Sequence, residues 1–399
     1  MTQAGSSVGD AGLAHAALRG ALDALRGDRR AEAWAALAPL LPPHTGGDIA
    51  ADPAPLLGMA QESNARLDWI GGLLAYEVLV AAGHARFAKQ QDWMARRAAL
   101  QHDFHAQFEA PSSFGRLAEV LGTRLRRPVT AIATTRLRPG LVAMAVYRHA
   151  VTLEGEAAPA VLVEKVFGDR RTDAAKVAQK DLLFGAMPAA RLRAPRYHGL
   201  HREGRFTSVL LDMAEGDPLP LERWDHVVRE LLYHFWCEAP PTSLARGLTL
   251  ARPMLETLRA IAGGREAATL HAALGGMDAA ALLADRLPAL ERLVAAMPVF
   301  VLHDDLHAGN ILVDAAGVPR LIDWDRWWLA PIGAGWPLLE EDAPPMLPSR
   351  ITWARPLPLG VGTRELMAVA AMAALYRSMR GGRIAQAAQH LKRVLAWEG

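Results

Sequence analysis

The order of predicted secondary structure after residue 128 constrains the fold of this chain more than any other feature. Short runs rich in apolar and β-branched residues, separated by glycine- and proline-containing breaks, predict five strands. A helical run at 172–187 falls between the third and fourth strands, and helical periodicity returns from residue 221 onward. The predicted strands are 129–135, 141–152, 160–167, 196–200 and 206–213. This order predicts a two-lobed α+β fold.

The first 125 residues show a different pattern, because apolar residues recur there at three- and four-residue spacing. Leu18, Leu22 and Leu25 illustrate this spacing, which predicts one apolar face of a helix. A proline- and glycine-rich break at 39–55 separates this helix from further helical stretches. We therefore expect three regions: a helical N-terminal region of unknown role (1–125), a strand-rich lobe (126–215) and a helical lobe (216–399).

Composition excludes several classes of protein. A net charge of +2 in 399 residues gives no concentrated basic surface for a nucleic acid. The single cysteine, Cys237, excludes an internal disulfide framework and a cysteine-based zinc site. The most apolar window, 69–83, is interrupted by Glu77 and is shorter than the ~20 residues of a membrane span. With no signal peptide evident, we expect a cytoplasmic enzyme that binds neither nucleic acid nor membrane.

The strongest local signal is a polar loop between two apolar, strand-like runs. The segment 299–313 reads VFVLHDDLHAGNILV, and the run that ends in Asp323 follows shortly afterwards. Polar side chains fixed between apolar strands are costly to bury and therefore indicate function. Asp305, then Asn310 five residues on, then Asp323 thirteen further supply hard oxygen atoms. Phosphoryl transfer needs such atoms to accept a proton and to bind Mg²⁺.

This pattern resembles the aminoglycoside phosphotransferase/choline kinase family, which is distantly related to the protein kinases. The matching residues are His303, Asp305 and Asn310, followed by the Ile-Asp-Trp run at 322–324. The resemblance implies a protein-kinase-like fold with a five-stranded antiparallel N-lobe and a helical C-lobe. It also implies ATP and Mg²⁺ as cofactors, Asp305 as the catalytic base, and Asn310 and Asp323 as metal ligands. Asp304 departs from the family, which usually has glycine there, and this predicts either a strained loop or a second carboxylate near the substrate.

A lysine on the third predicted strand is the second signal. The chain has only five lysines among 44 basic residues: Lys89, Lys165, Lys176, Lys180 and Lys392. Alternation along the strand places Lys165 on the face of Val161 and Val163, which predicts a covered position. Its compact charge suits the phosphates of a nucleotide, and kinase-like folds carry such a lysine on their third strand.

Two further parts of the nucleotide site follow from the resemblance. The family lysine is paired with a glutamate on the next helix, but this chain has Gln179 at the expected position and Asp181 as the nearest carboxylate. Either could be the partner of Lys165. Backbone groups around Asp212, Met213 and Ala214 are expected to hold adenine, although an apolar strand that enters a turn explains this run equally well.

These features predict an ATP-dependent phosphotransferase that acts on a hydroxyl of a small molecule, such as an antibiotic, an amino-sugar or an amino alcohol. Carboxylates and tryptophans after Asp323 could bind a cationic substrate, or the tryptophans could simply pack the lobe. Two alternatives are a kinase-like binding or regulatory protein with weak catalysis and a protein kinase. The missing helix glutamate and Asp304 favour the first, whereas the intact set of Asp305, Asn310 and Asp323 argues against it. The lack of an Ala-Pro-Glu-like activation segment after Asp323 argues against the second.

Overall fold

The computed structural model describes residues 7–41, 52–108, 113–137, 143–246, 248–335 and 360–397. The chain divides into two compact units. The first comprises Met1–Ala174 and Leu200–Leu210, and the second comprises Ala175–Gly199 and Leu211–Gly399.

Helices make up the N-terminal part of the first unit. They are α1 (Ser7–Arg26), α2 (Arg30–Leu37), α3 (Ala54–Ala65), α4 (Trp69–Ala81), α5 (Ala88–Ala98), α6 (Gln101–Phe108) and α7 (Ser113–Leu125). The Asp68 side chain caps the start of α4 by accepting a hydrogen bond from the Gly71 N–H, 3.0 Å away. His15 of α1 bonds the same carboxylate at 2.9 Å, so this cap also ties α1 to α4.

A five-stranded sheet follows these helices. Its strands are β1 (Val129–Leu137), β2 (Ala145–Leu153), β3 (Ala160–Gly168), β4 (Tyr197–Glu203) and β5 (Phe206–Asp212). They lie in the order β1-β2-β3-β5-β4, and helix α8 (Arg171–Ala186) separates β3 from β4 along the chain. The predicted α+β fold, with five strands and one helix after the third, is confirmed.

The helices before the sheet pack on it within the first unit. Leu117 and Leu121 of α7 form a hydrophobic cluster with Val151, Leu162 and Leu210 of the sheet. A larger cluster joins buried residues of α1–α6 to other strand residues. The N-terminal helices therefore share their cores with the strands. The proposed boundaries at 125 and 215 stay predictions.

A buried polar network lies under α7. Glu164 of β3 accepts hydrogen bonds from Ser208 and from Arg116 of α7, the latter at 3.4 Å. His149 of β2 lies 3.0 Å from the other Glu164 oxygen through Nε2, and its Nδ1 lies 2.9 Å from the Thr134 hydroxyl. Burial alone would raise the pKa of Glu164. The bonds from His149 and Ser208 and the charge of Arg116 outweigh burial, so the pKa is lowered.

The second unit is mainly helical. Its helices are α9 (Trp224–Cys237), α10 (Ala251–Ala262), α11 (Ala267–His271), α12 (Ala279–Ala296), α13 (Thr363–Arg380) and α14 (Ile384–Leu395). Its short strands are β6 (Asp217–Pro218), β7 (Val299–His303), β8 (Ile311–Val313), β9 (Pro319–Leu321) and β10 (Trp327–Pro331). Strand β7 pairs with β10, and β8 lies between β6 and β9. These two small sheets carry the polar loop between β7 and β8.

Among the described residues, no single helix has the length and hydropathy to span a membrane. One pair of helical segments, Ala267–Leu274 and Ala279–Ala296, meets the length and hydropathy criteria when the two are taken together. The chain bends by 112° between them.

Candidate active site

His303 anchors the polar loop at the end of β7. Its Nε2 lies 3.0 Å from the carbonyl oxygen of Ile322, and its Nδ1 accepts a hydrogen bond from the Asp305 N–H at 3.3 Å. One ring nitrogen therefore donates while the other accepts, which is the pattern of a neutral imidazole. Burial, the largest influence, lowers the pKa of His303 despite the carboxylates around it. His303 is thus neutral, and its two hydrogen bonds hold the loop to Ile322, the residue before Asp323.

Asn310 is held by the residue it follows in the motif. Its Nδ2 donates to the carbonyl oxygen of Asp305 at 2.8 Å, and the Asn310 side chain is buried. This bond fixes the plane of the amide and directs Oδ1 away from the Asp305 carbonyl. The Asn310 carbonyl in turn accepts from the Ile322 N–H at 3.0 Å. The loop and the start of the Asp323 segment are therefore joined through backbone atoms.

Asp323 has an unusual backbone conformation. Its φ of 64° makes it one of five described non-glycine residues with positive φ. Aspartate tolerates the left-handed region better than most residues, but the conformation still costs free energy and persists only where neighbours enforce it. The Asp323 carbonyl accepts a hydrogen bond from the Asp325 N–H at 2.7 Å, which closes a tight turn.

The predicted metal ligands suit Mg²⁺ chemically. The described residues contain no group of three or more histidine, cysteine, aspartate or glutamate side chains placed to hold a metal ion. Asn310 and Asp323 instead form a smaller set, one amide oxygen and one carboxylate. Mg²⁺ that is bound mainly through the phosphates of a nucleotide uses only one or two protein ligands of this kind. The donor types therefore fit the ion.

Asp304 has a structural role that the sequence did not predict. Its carboxylate accepts from Nη2 of Arg377 at 3.1 Å, and Nη1 of the same arginine donates to the Ala334 carbonyl at 3.2 Å. Asp304 is not among the described residues with positive φ, so replacing glycine does not strain the backbone there. The carboxylate ties the loop to α13.

Helix α8 carries the predicted partners of Lys165, Gln179 and Asp181. The backbone carbonyl of Gln179 accepts from Trp327 Nε1 at 3.0 Å, and its buried Oε1 has no hydrogen-bond partner among the described residues. Asp181 is exposed and accepts from the Tyr197 hydroxyl at 2.6 Å. Neither contact assigns the partner of Lys165, which stays a prediction.

The buried charge on α8 is Lys180, for which the sequence predicted no role. Its ammonium bonds the carboxylate of Asp325, two residues after Asp323. The side chains of Lys180 and Asp325 are only 2% and 7% exposed. The only sequence feature that could have indicated Lys180 is the rarity of lysine in this chain, and the same feature applies equally to Lys165.

Lys165 lies on β3, as predicted, opposite Val146 of β2. It shares its face with Val161 and Val163, and all three residues are half-buried. The more deeply buried face is the opposite one, which carries Glu164 under α7. The prediction of a covered face for Lys165 therefore holds only in part.

The predicted adenine-binding residues lie where β5 ends. The Asp212 N–H already donates to the Arg196 carbonyl at 2.8 Å, and the Asp212 carboxylate lies 2.5 Å from His198 Nε2. Asp212, Met213 and Ala214 line a groove of about 390 Å³ in the second unit. Because the N–H and the carboxylate of Asp212 already have hydrogen-bond partners, the backbone groups of Met213 and Ala214 are the candidates to bind a base.

The tryptophans after Asp323 mostly pack the interior. Trp324 and Trp327 are buried in the main cluster of the second unit, and the ring of Trp324 lies 4.6 Å from that of His303. This favours the packing interpretation for these two residues. Trp336 and the acidic run at 340–342 lie outside the described residues.

Comparison with known families matches the segment that carries the motif. Residues 237–334 match the family described as "Phosphotransferase enzyme family". The resemblance predicted from the sequence is confirmed. The matched segment is about a quarter of the chain, and it includes Asp305, Asn310 and Asp323 but not Lys165.

Solved structures of phosphotransferases show weak likeness to the chain. Macrolide 2'-phosphotransferase MphH from Brachybacterium faecium is 14% identical, with 72% of this chain and 100% of that chain covered and a TM-score of 0.40. Choline kinase LicA from Streptococcus pneumoniae is 12% identical, with 71% and 100% covered and a TM-score of 0.40. Aminoglycoside phosphotransferase APH(3'')-Id from Streptomyces rimosus ATCC10970 is 17% identical, with 71% and 99% covered and a TM-score of 0.34. No curated protein matches the chain. Likeness at these TM-scores says nothing about substrate or residue roles.

Proposed function

We propose that this protein transfers the γ-phosphoryl group of ATP, with Mg²⁺, to a hydroxyl group of a small molecule. Asp305 is the base, Asn310 and Asp323 hold the metal ion, and Lys165 contacts the phosphates. Met213 and Ala214, next to Asp212, offer backbone groups to adenine. The family match over residues 237–334 supports this choice of reaction class.

One observation carries the proposal. Three hydrogen bonds join the motif residues: His303 to the Ile322 carbonyl, the Ile322 N–H to the Asn310 carbonyl, and Asn310 Nδ2 to the Asp305 carbonyl. In each bond a ring, backbone or side-chain amide nitrogen donates to a backbone carbonyl. The Asp305 carboxylate and the Asn310 Oδ1 take no part in them. Together with the carboxylate of Asp323, which follows Ile322, they are the kind of oxygens that phosphoryl transfer requires.

The chemistry assigned to these residues balances. The acceptor oxygen forms a bond to the γ-phosphorus while the bond from that phosphorus to the β,γ-bridging oxygen breaks, and ADP leaves. The proton of the acceptor hydroxyl passes to the Asp305 carboxylate, which also orients that hydroxyl. Mg²⁺, when bound, neutralises charge on the phosphate oxygens. Asn310 and Asp323 hold it through hard oxygen atoms.

Titration calorimetry with ATP, with and without Mg²⁺, tests this proposal, followed by an acceptor screen. The screen uses purified protein, ATP and Mg²⁺ with amino-sugars, amino alcohols, macrolides and nucleosides. We expect Mg²⁺-dependent ATP binding and phosphorylation of at least one class. A protein that binds no nucleotide in either condition is not a kinase. A protein that binds ATP with Mg²⁺, phosphorylates nothing and behaves like Asp305→Asn is the regulatory alternative.

A further inference from the structure

The ion pair between Lys180 and Asp325 lies two residues from the proposed metal ligand Asp323, and both of its side chains are buried. Charged side chains are rarely fully buried unless they are paired. A buried pair contributes little net stability, because removing two charges from water offsets most of their attraction. The pair therefore needs an explanation other than stability.

Its neighbours supply that explanation. The Asp325 N–H donates to the Asp323 carbonyl at 2.7 Å, so the residue that Lys180 binds also closes the turn at Asp323. One residue earlier on α8, the carbonyl of Gln179 accepts from Trp327 Nε1 at 3.0 Å. Two successive residues of α8, Gln179 and Lys180, thus hold the segment 323–327, at Trp327 and Asp325 respectively.

The backbone of Asp323 requires such support. With φ at 64°, this aspartate occupies a conformation that persists only where surrounding contacts enforce it. The Asp325 carboxylate, two residues after Asp323, is held by a lysine of helix α8. Movement of Asp325 would release the turn and allow Asp323 to relax.

We propose that Lys180 is a positioning residue for Asp323. Lys180 binds the Asp325 carboxylate and so fixes the turn that directs the Asp323 carboxylate. Helix α8 thereby supports the proposed metal ligand Asp323. This inference rests on the proposed function only where it concerns Mg²⁺. The statement that Lys180 orders the 323–327 turn stands on the contacts alone.

The double variant Lys180→Met/Asp325→Leu separates positioning from stability. Either single substitution removes the partner of a buried charge and should destabilise the protein, whereas exchange of a buried pair for apolar residues of similar size is often neutral. We expect the double variant to keep the wild-type melting temperature within a few degrees. Amide hydrogen exchange in peptides covering 322–328 should become about 10-fold faster, because the turn is no longer fixed.

The Mg²⁺ dependence of ATP binding, measured by calorimetry, is the second readout. Loss of a group that orients a metal ligand typically weakens metal affinity about 10- to 100-fold. We expect the Mg²⁺ concentration for half-maximal ATP binding to rise within that range. Lys176→Met, one turn earlier on α8, is the matched control and should leave both readouts unchanged.

The two measurements test the positioning role and the proposed function separately. A stable double variant with wild-type exchange over 322–328 and wild-type Mg²⁺ dependence overturns the positioning role. Wild-type protein that binds no nucleotide overturns the proposed function, and the exchange measurement still decides the role of Lys180. If the double variant does not fold, Lys180→Gln/Asp325→Asn keeps the shapes and a hydrogen bond without the charges, and the same two readouts apply.

Discussion

Two regions of this protein place polar groups among apolar strands, and they use them in opposite ways. Under α7, Glu164 is bound by Ser208, His149 and Arg116, and each contact joins one side chain to another. In the loop after β7, the side-chain hydrogen bonds of Asn310 and His303 go to backbone atoms. In the first region the polar side chains bind one another, while in the second the Asp305 carboxylate takes no part in the hydrogen bonds that hold the loop.

This difference separates a structural network from a candidate active site. A buried polar network is stable when every member is satisfied by another member. A site for chemistry instead needs its backbone fixed while its reactive oxygens point to the substrate or the metal ion. A carboxylate in a strand is therefore weak evidence for function until the atoms that bind it are known.

Removal of Glu164 should have the largest effect, and it should be on stability. Glu164→Leu leaves His149, Ser208 and Arg116 buried without their shared partner. Loss of one member of a buried charged pair costs about 3–5 kcal/mol. We expect the free energy of unfolding of the first unit, measured by urea denaturation, to fall by an amount within that range, with turnover per folded molecule unchanged. An unaltered midpoint would show that the network does not stabilise the sheet.

Asp305→Asn tests the opposite behaviour. The amide keeps the size of the side chain and the backbone bonds to His303 and Asn310, but it cannot accept the proton. We expect turnover on the acceptor found in the screen to fall about 10²-fold or more, the usual scale for a general base. The melting temperature should stay at the wild-type value. Asp285→Asn, an exposed site on α12, is the matched control. Full turnover by Asp305→Asn would remove Asp305 from the chemistry.

Asp323→Ala should separate metal binding from proton transfer. It removes a carboxylate proposed to bind Mg²⁺, so ATP affinity with Mg²⁺ should fall about 10-fold, on the scale of a lost charged contact. ATP affinity without Mg²⁺ should change little. Calorimetry at several Mg²⁺ concentrations measures both. Equal loss in the two conditions would mean that Asp323 contacts the nucleotide itself or supports the fold.

Sequence reasoning found what is encoded in contiguous residues and missed what depends on distant contacts. The strands and α8 were predicted because apolar periodicity is local, and the motif was predicted because Asp305 and Asn310 lie in one short loop. The pairing of Lys180 with Asp325 spans 145 residues, and no local pattern marks it. Gln179 and Asp181, the predicted partners of Lys165, stay predictions. Successive helical residues point about 100° apart, so Gln179 and Asp181 face differently from the buried Lys180 between them.

The smallest expected effect is a change in stability with pH, which tests whether the partners of Glu164 hold it charged. Burial raises the pKa of Glu164, but the bonds from His149 and Ser208 and the charge of Arg116 lower it further than burial raises it. A folded pKa below the unfolded value, about 4.3 for glutamate, gives stability that is complete above that value and is lost as pH falls through the folded pKa. Glu164→Gln cannot titrate at this site. We therefore expect the urea midpoint of the wild type to exceed that of Glu164→Gln at pH 6 and the difference to narrow progressively below pH of about 4.3. A difference that stays constant down to pH of about 3 would show that Glu164 is not held charged by its partners, because a charged carboxylate stabilised by them must lose that stabilisation on protonation.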